Sequence, residues 1–146
     1  MPGAISNAFM KAILISPLHA LLGDSFAVIT VTGRRTGRRI STPINVSPQD
    51  GEFTVISYRN RRWWKNLRDG RKGELHHRGE TFPVTARIID RTSEVLDELK
   101  TFFGRYPGHA KYFSVRIDDR QNPNREDLDR AAADWVIIRL APSEKE

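Results

Sequence analysis

The sequence predicts an α+β protein: one antiparallel sheet of six strands, curled into a barrel and flanked by helices. Three observations carry that expectation. Short β-branched runs follow one another only a few residues apart, too close for the crossover helices that parallel strands need. The hydrophobic period changes from two to about 3.6 after Asp90. The length of 146 residues, 38% of them apolar and 29% charged, suits one packed core and is too apolar for a disordered chain. Residues 1–146 are therefore read as a single domain.

The first element, within residues 1–24, is a helix, because Ile5, Phe9, Ala12 and Ile13 recur at helical spacing and Gly23 ends the pattern. Its apolar run from Ala12 to Leu22 is interrupted by Pro17 and His19 and is far short of the roughly 20 residues a membrane span requires. Burial in the protein is expected, with contact to a membrane surface as the lesser alternative. Phe26 to Val31 (FAVITV) then reads as a buried strand. Ile40 to Val46 (ISTPINV) is a second strand, restricted by Pro43 to an edge or a bulge. Ser47 to Gly51 (SPQDG) reads as a turn and Phe53 to Tyr58 (FTVISY) as a third strand.

Asn60 to Arg68 (NRRWWKNLR) places Trp63, Trp64 and Leu67 within one turn of a short helix, stopped by Asp69-Gly70. Paired tryptophans are more often core than binding surface, but basic residues surround these two, so one indole could face the core and the other a pocket, stacking a flat ring or, with the basic side, nucleic-acid bases. Gly73 to Arg78 and Thr81 to Ile89 form a hairpin turned at Gly79-Glu80, with Phe82, Val84, Ala86 and Ile88 on one face. Val95, Leu96, Leu99, Phe102 and Phe103 mark an amphipathic helix that ends around Gly104 to Pro107. Asn124, with Glu126 and Asp127 behind it, reads as a capped helix start, and Leu128, Ala131 and Ala132 as its core face. Val136 to Leu140 is the last strand, and residues 141–146 read as a frayed tail.

Composition narrows the function. There is no cysteine, which excludes disulfides, iron–sulfur clusters and thiolate zinc and suits a reducing cytoplasm. Adjacent His76 and His77 point to opposite faces of a strand, so no metal site is expected there. The net charge of +6 is unevenly spread: Arg34 to Lys72 holds eleven basic residues against three acids, a local +8 that leaves −2 for the rest. A local excess of that kind favours an anionic partner at one place. At its centre is Thr32 to Arg39, TGRRTGRR, between two strands. Gly33 and Gly37 permit positive φ and close backbone approach, and arginines beside exposed N–H groups grip phosphate or carboxylate bidentately. The absence of a following Gly-Lys-Ser/Thr excludes a Walker loop.

A strand, then Thr32-Gly33-Arg34-Arg35-Thr36-Gly37, a strand bearing Pro43, a third apolar strand and Trp63-Trp64-Lys65-Asn66-Leu67 together resemble the deazaflavin-dependent nitroreductase family of flavin and deazaflavin oxidoreductases. Gly79-Glu80-Thr81-Phe82-Pro83-Val84 fits the hairpin that follows in that family, so the resemblance extends over about Phe26 to Ile89. It implies a split β-barrel that binds coenzyme F420, a deazaflavin, or alternatively FMN. By position, Thr32, Gly33, Arg34, Arg35, Thr36 and Gly37 would form the phosphate loop, with Arg39 adjacent. Ser41, Thr42 and Pro43 would run beside the tricyclic ring, and Ser57 and Tyr58 would end the strand facing it. Trp63, Trp64 and Asn66 would line the substrate pocket, Asn66 fixing the helix that bears the tryptophans. The sequence departs from the family pattern at Ile40, where a basic residue is common, and in Tyr58 to Arg62, where a Gly- and Pro-rich link is usual.

Such an enzyme needs no side-chain nucleophile, because the cofactor ring carries the hydride to a quinone, a nitro compound or another electron-poor acceptor. The proton comes from water or from a tyrosine, the candidates being Tyr58, Tyr106 and Tyr112. Split barrels often pair through their sheets, so a homodimer is one expected assembly. Two readings from other classes fit the same residues. One is a non-enzymatic carrier of haem, flavin or fatty acid; the other is a binder of single-stranded nucleic acid through the basic face.

Overall fold

The structure is a computed structural model that describes residues 25–143; the expected N-terminal helix and residues 144–146 lie outside the described residues. Strand β1 (Phe26–Thr32) is buried at every position except its last, which is partly exposed, as a continuous apolar run should be when both faces are covered. Strand β2 (Arg39–Asn45) pairs antiparallel with it, placing Thr30 opposite Ser41 and Val28 opposite Pro43. β3 (Ser47–Gln49) and β4 (Glu52–Tyr58) follow, then a 3₁₀ segment (Trp63–Gly70), β5 (Gly73–His77) and β6 (Glu80–Ile89). The chain continues through helix α1 (Thr92–Arg105), a second 3₁₀ segment (Pro107–Phe113) and helix α2 (Arg125–Asp134) into β7 (Trp135–Pro142). All seven strands belong to one sheet in the order β2-β1-β5-β6-β7-β4-β3, so the antiparallel α+β class holds.

The seventh strand corrects the expectation of six. Ser47–Gln49 does not belong to a broad turn; it pairs with β4, and Gln49 lies opposite Glu52. Only Asp50 and Gly51 turn the chain, with φ of 53° and 80°, the two-residue geometry whose twist suits adjoining strands. The β5–β6 hairpin turns at Arg78-Gly79 rather than Gly79-Glu80, since His77 pairs with Glu80 and both turn residues have positive φ. Prolines stand on both edges of the sheet, Pro43 on β2 and Pro48 on β3, where a missing N–H costs no ladder bond. Other details differ as well. Ala141 and Pro142 are strand, not frayed tail. The buried residue near the end of β6 is Ile89, while Ile88 is only partly covered. The tryptophan helix starts at Trp63 and is 3₁₀, with Asp69 in the left-handed region at φ 63°.

The described residues form two compact units, one of residues 25–55, Arg62–Arg87 and 138–143, the other of Ile56–Arg61 and Ile88–Ile137. In the first, Val28, Ile29, Val31, Leu67, Leu75 and Trp64 are essentially inaccessible to water. In the second, Val95, Leu99 and Phe103 of α1 pack with Leu128, Ala131 and Ala132 of α2, the stripes expected from their spacing. Helix α2 starts as anticipated: the Asn124 side chain accepts the Asp127 N–H at 3.0 Å.

Candidate functional site

The arginine loop leaves β1 and enters β2 as a closed turn. The Gly33 N–H donates to the Arg38 carbonyl at 2.7 Å and the Gly37 N–H to the Gly33 carbonyl at 3.0 Å. The Arg38 N–H donates to Thr36 Oγ1 at 3.2 Å. Gly37 sits at φ +70°, a conformation glycine adopts without penalty. Gly33 has a different reason: a Cβ there would lie 2.8 Å from Thr36 Oγ1 and displace the hydroxyl that holds Arg38.

Asn66 joins the loop to the tryptophan segment. Its Oδ1 accepts the Arg34 N–H at 2.9 Å and its Nδ2 donates to the Arg62 carbonyl at 3.2 Å. The two motifs quoted from the sequence are therefore in direct contact, through one amide side chain. Arg34 is held a second time, its guanidinium 3.3 Å from Asp69 at the end of the same segment. Arg39 pairs with Glu74 of β5. Acids thus answer two of the four arginines, and the sequence offered little sign of it: Asp69 reads as a helix stop and Glu74 as an ordinary strand residue. No described acid lies within ion-pair distance of Arg35 or Arg38.

On β2, pleating separates the three residues expected to line one ring. Thr42 is buried, whereas Ser41 and Pro43 project from the opposite face and are partly exposed. The Ser41 and Thr30 hydroxyls are 2.8 Å apart and tie β2 to β1. Both tryptophans are core residues. Trp63 and Trp64 are 5% and 2% exposed, so the expectation that one indole faces a pocket is replaced by packing of both. Arg68 and Lys65 lie over the Trp64 ring at 5.1 and 5.5 Å, so the basic side chains shield the indole that the apolar side buries.

Ser57 and Tyr58 belong to the other unit. Ser57 is buried, its hydroxyl 3.3 Å from the Tyr58 carbonyl. Tyr58 is half exposed and stacks on Trp135 with ring centroids 3.9 Å apart. Tyr106 packs against Phe102, and Tyr112 is largely exposed with Lys111 over its ring. Arg59, counted in the sequence among the surface cations, is an internal strut: its guanidinium donates to the carbonyls of Asp90, Ala132, Ala133 and Trp135 at 2.7 to 3.2 Å.

A separate concavity of about 710 Å³ lies at the hairpin tips, lined by Phe53, His77, Arg78 and Phe82 among others. Because β5 runs antiparallel to β1, Glu74 lies opposite Thr30 near the arginine loop and His77 lies at the far end. That concavity and the loop are therefore at opposite ends of these strands. Among the described residues no group of three or more metal-ligating side chains converges, and no helix is long and apolar enough to cross a membrane.

Residues 15–118 match the family described as F420H(2)-dependent quinone reductase, a span of well over half the chain. The chain belongs to the F420H(2)-dependent quinone reductase family. As a member it is an enzyme, a deazaflavin-dependent reductase, and both quoted motifs fall inside the matched span. A search of curated proteins finds no match. Among solved structures, the conserved hypothetical protein Rv2991 of Mycobacterium tuberculosis is similar at TM-score 0.56 and 15% identity, covering 97% of this reductase and 82% of that chain. HutZ, the heme storage protein of Vibrio cholerae, is similar at 0.54 and 14%, covering 88% of each. Protein Atu2129 of Agrobacterium tumefaciens str. C58 is similar at 0.56 and 15%, covering 99% of this chain, which spans only 60% of that one. At such identities these likenesses establish the fold alone.

Proposed function

We propose that this reductase holds the anionic end of coenzyme F420 on the loop from Thr32 to Arg39 and passes hydride to a quinone or nitro compound. The observation that carries the reading is the loop itself, closed by its own bonds, fastened by Asn66 and presenting two arginines without a described acid. The chemistry fits: a phosphate or carboxylate accepts from paired guanidinium and amide donors, and a preformed loop loses little entropy on binding it. When bound, the cofactor supplies the hydride from its reduced ring. The chain's residues bind and orient. Ser41 and Pro43 offer a partly exposed strand face beside the loop, and Asn66 fastens the loop to the segment that bears the buried tryptophans. The acceptor takes its proton from water or from a tyrosine hydroxyl. A cysteine-free reductase of this kind suits the cytoplasm.

The test is a fluorescence titration of the purified protein with F420, with FMN in parallel, followed by mixing with F420H2 and a quinone or nitroaromatic. Saturable F420 binding and protein-dependent return of the oxidised F420 absorbance are expected. A protein that binds FMN but not F420 has the alternative cofactor. A Soret band on adding haem without any flavin-type binding makes it a carrier. Steeply salt-dependent binding of single-stranded nucleic acid alone makes it neither.

A further inference from the structure

The four arginines of the loop are not equivalent. Arg34 is fixed to the tryptophan segment at two points, its N–H on Asn66 and its guanidinium on Asp69, and Arg39 is fixed to β5 through Glu74. These contacts direct both side chains back onto the protein's own acids. Arg35 and Arg38 flank the tip, are exposed, and have no described acid within reach. The backbone shows the same division. The N–H groups of Gly33, Arg34, Gly37 and Arg38 are all bonded inside the structure, whereas no described group accepts from those of Arg35 and Thr36.

We infer that the loop divides its labour: Arg35 and Arg38, with the amides of Arg35 and Thr36, take the anionic group, while Arg34, Arg39 and Asn66 hold the loop in shape. The inference rests on the F420 reading above and deepens it, because it brings Arg38 into the binding set and makes Asn66 a positioning residue. The physical reason is that a guanidinium already facing a carboxylate must give up that partner before it can serve an anionic ligand. An unanswered pair gains the full charge-assisted contact and loses the mutual repulsion it carries when empty.

The experiment compares two double variants, Arg35→Gln/Arg38→Gln and Arg34→Gln/Arg39→Gln, for affinity toward F420 and toward its chromophore lacking the phosphate and tail. The first pair is expected to weaken F420 binding by about 100-fold or more, since two charge-assisted contacts are removed. The second pair is expected to cost several-fold only and to lower the melting temperature. Neither should move affinity for the phosphate-free chromophore. Asn66→Ala is expected to raise KM for F420H2 by about tenfold with kcat retained, the signature of misplaced binding rather than lost chemistry. Arg35→Lys/Arg38→Lys, which keeps the charge at exposed positions, controls for folding and should retain part of the affinity. If wild type fails to bind F420, the functional reading falls and this inference with it. If wild type binds and the Arg34/Arg39 variant loses as much as the Arg35/Arg38 variant, only the division of labour is overturned.

Discussion

Arg59 illustrates how little a side chain's charge says about its role. In the sequence it is one cation in a basic run, but its guanidinium gathers four main-chain carbonyls, including those that close the C-terminal end of α2. Those carbonyls have no helical N–H to receive, and a cation placed there satisfies them and the helix dipole together. Arg59→Ala should therefore cost about 2 to 3 kcal/mol in urea denaturation, several times the effect expected for an exposed arginine. Gly73 makes the complementary point. A Cβ at that position would stand 3.1 Å from the Thr30 carbonyl and 3.0 Å from Leu67 Cδ2. Gly73→Ala should lower stability by about 1 to 3 kcal/mol, because a strand backbone and a packed leucine must both yield. Thermal melting with unchanged far-UV dichroism would check it; an unaltered melting temperature would show that the neighbours give way freely.

Elements in this fold are fixed by small polar devices as much as by apolar stripes. The start of α2 is an example. Asn124 caps it, and the buried Asp127 carboxylate receives the Arg116 guanidinium at 2.8 Å, the Arg116 N–H at 2.9 Å and Arg130 at 3.3 Å. The side-chain bond from Arg116, reinforced by its backbone N–H, holds the Asp127 carboxyl at about 2, below the ordinary 3.8. A depressed carboxyl stabilises the fold above its unfolded value and loses that contribution as pH falls toward its folded one. The acid-sensitive window thus runs from roughly pH 4 down to roughly pH 2. Asp127→Asn should lower the urea midpoint at neutral pH, and the gap from wild type should shrink through that window. A gap that stays constant with pH would mean that Asp127 acts by packing alone.

At the scale of the whole molecule the governing quantity is charge distribution. The excess between Arg34 and Lys72 remains large after the internal pairs are subtracted, since Asp69 and Glu74 answer only Arg34 and Arg39. An anionic cofactor is then drawn by several cations at once and screened by salt. Affinity for F420 should fall several-fold between about 0.05 and about 0.5 M salt, mainly through slower association. Stopped-flow fluorescence at two ionic strengths measures this; a salt-independent association rate would count against electrostatic capture.

Most of the fold was legible in the sequence because its signals are local. Apolar runs a few residues apart define β1, β2, β4, β5, β6 and β7, and a 3.6 period defines α1 and α2. β3 escaped notice because three residues carrying a proline have no periodicity to read; only the two-residue turn at Asp50-Gly51 brings them against β4. The candidate site was legible as two motifs, TGRRTGRR and WWKNL. What joins them, the Asn66 side chain on the Arg34 N–H, spans 32 positions and leaves no trace in either motif alone. The sequence by itself determined six of the described strands, the helices α1 and α2, the glycine tip and the local positive charge, all consequences of residue type and near-neighbour spacing. Only the tertiary structure decided which arginines face acids, which indoles are buried and which cation closes a helix, because those outcomes depend on partners that folding brings together from far along the chain.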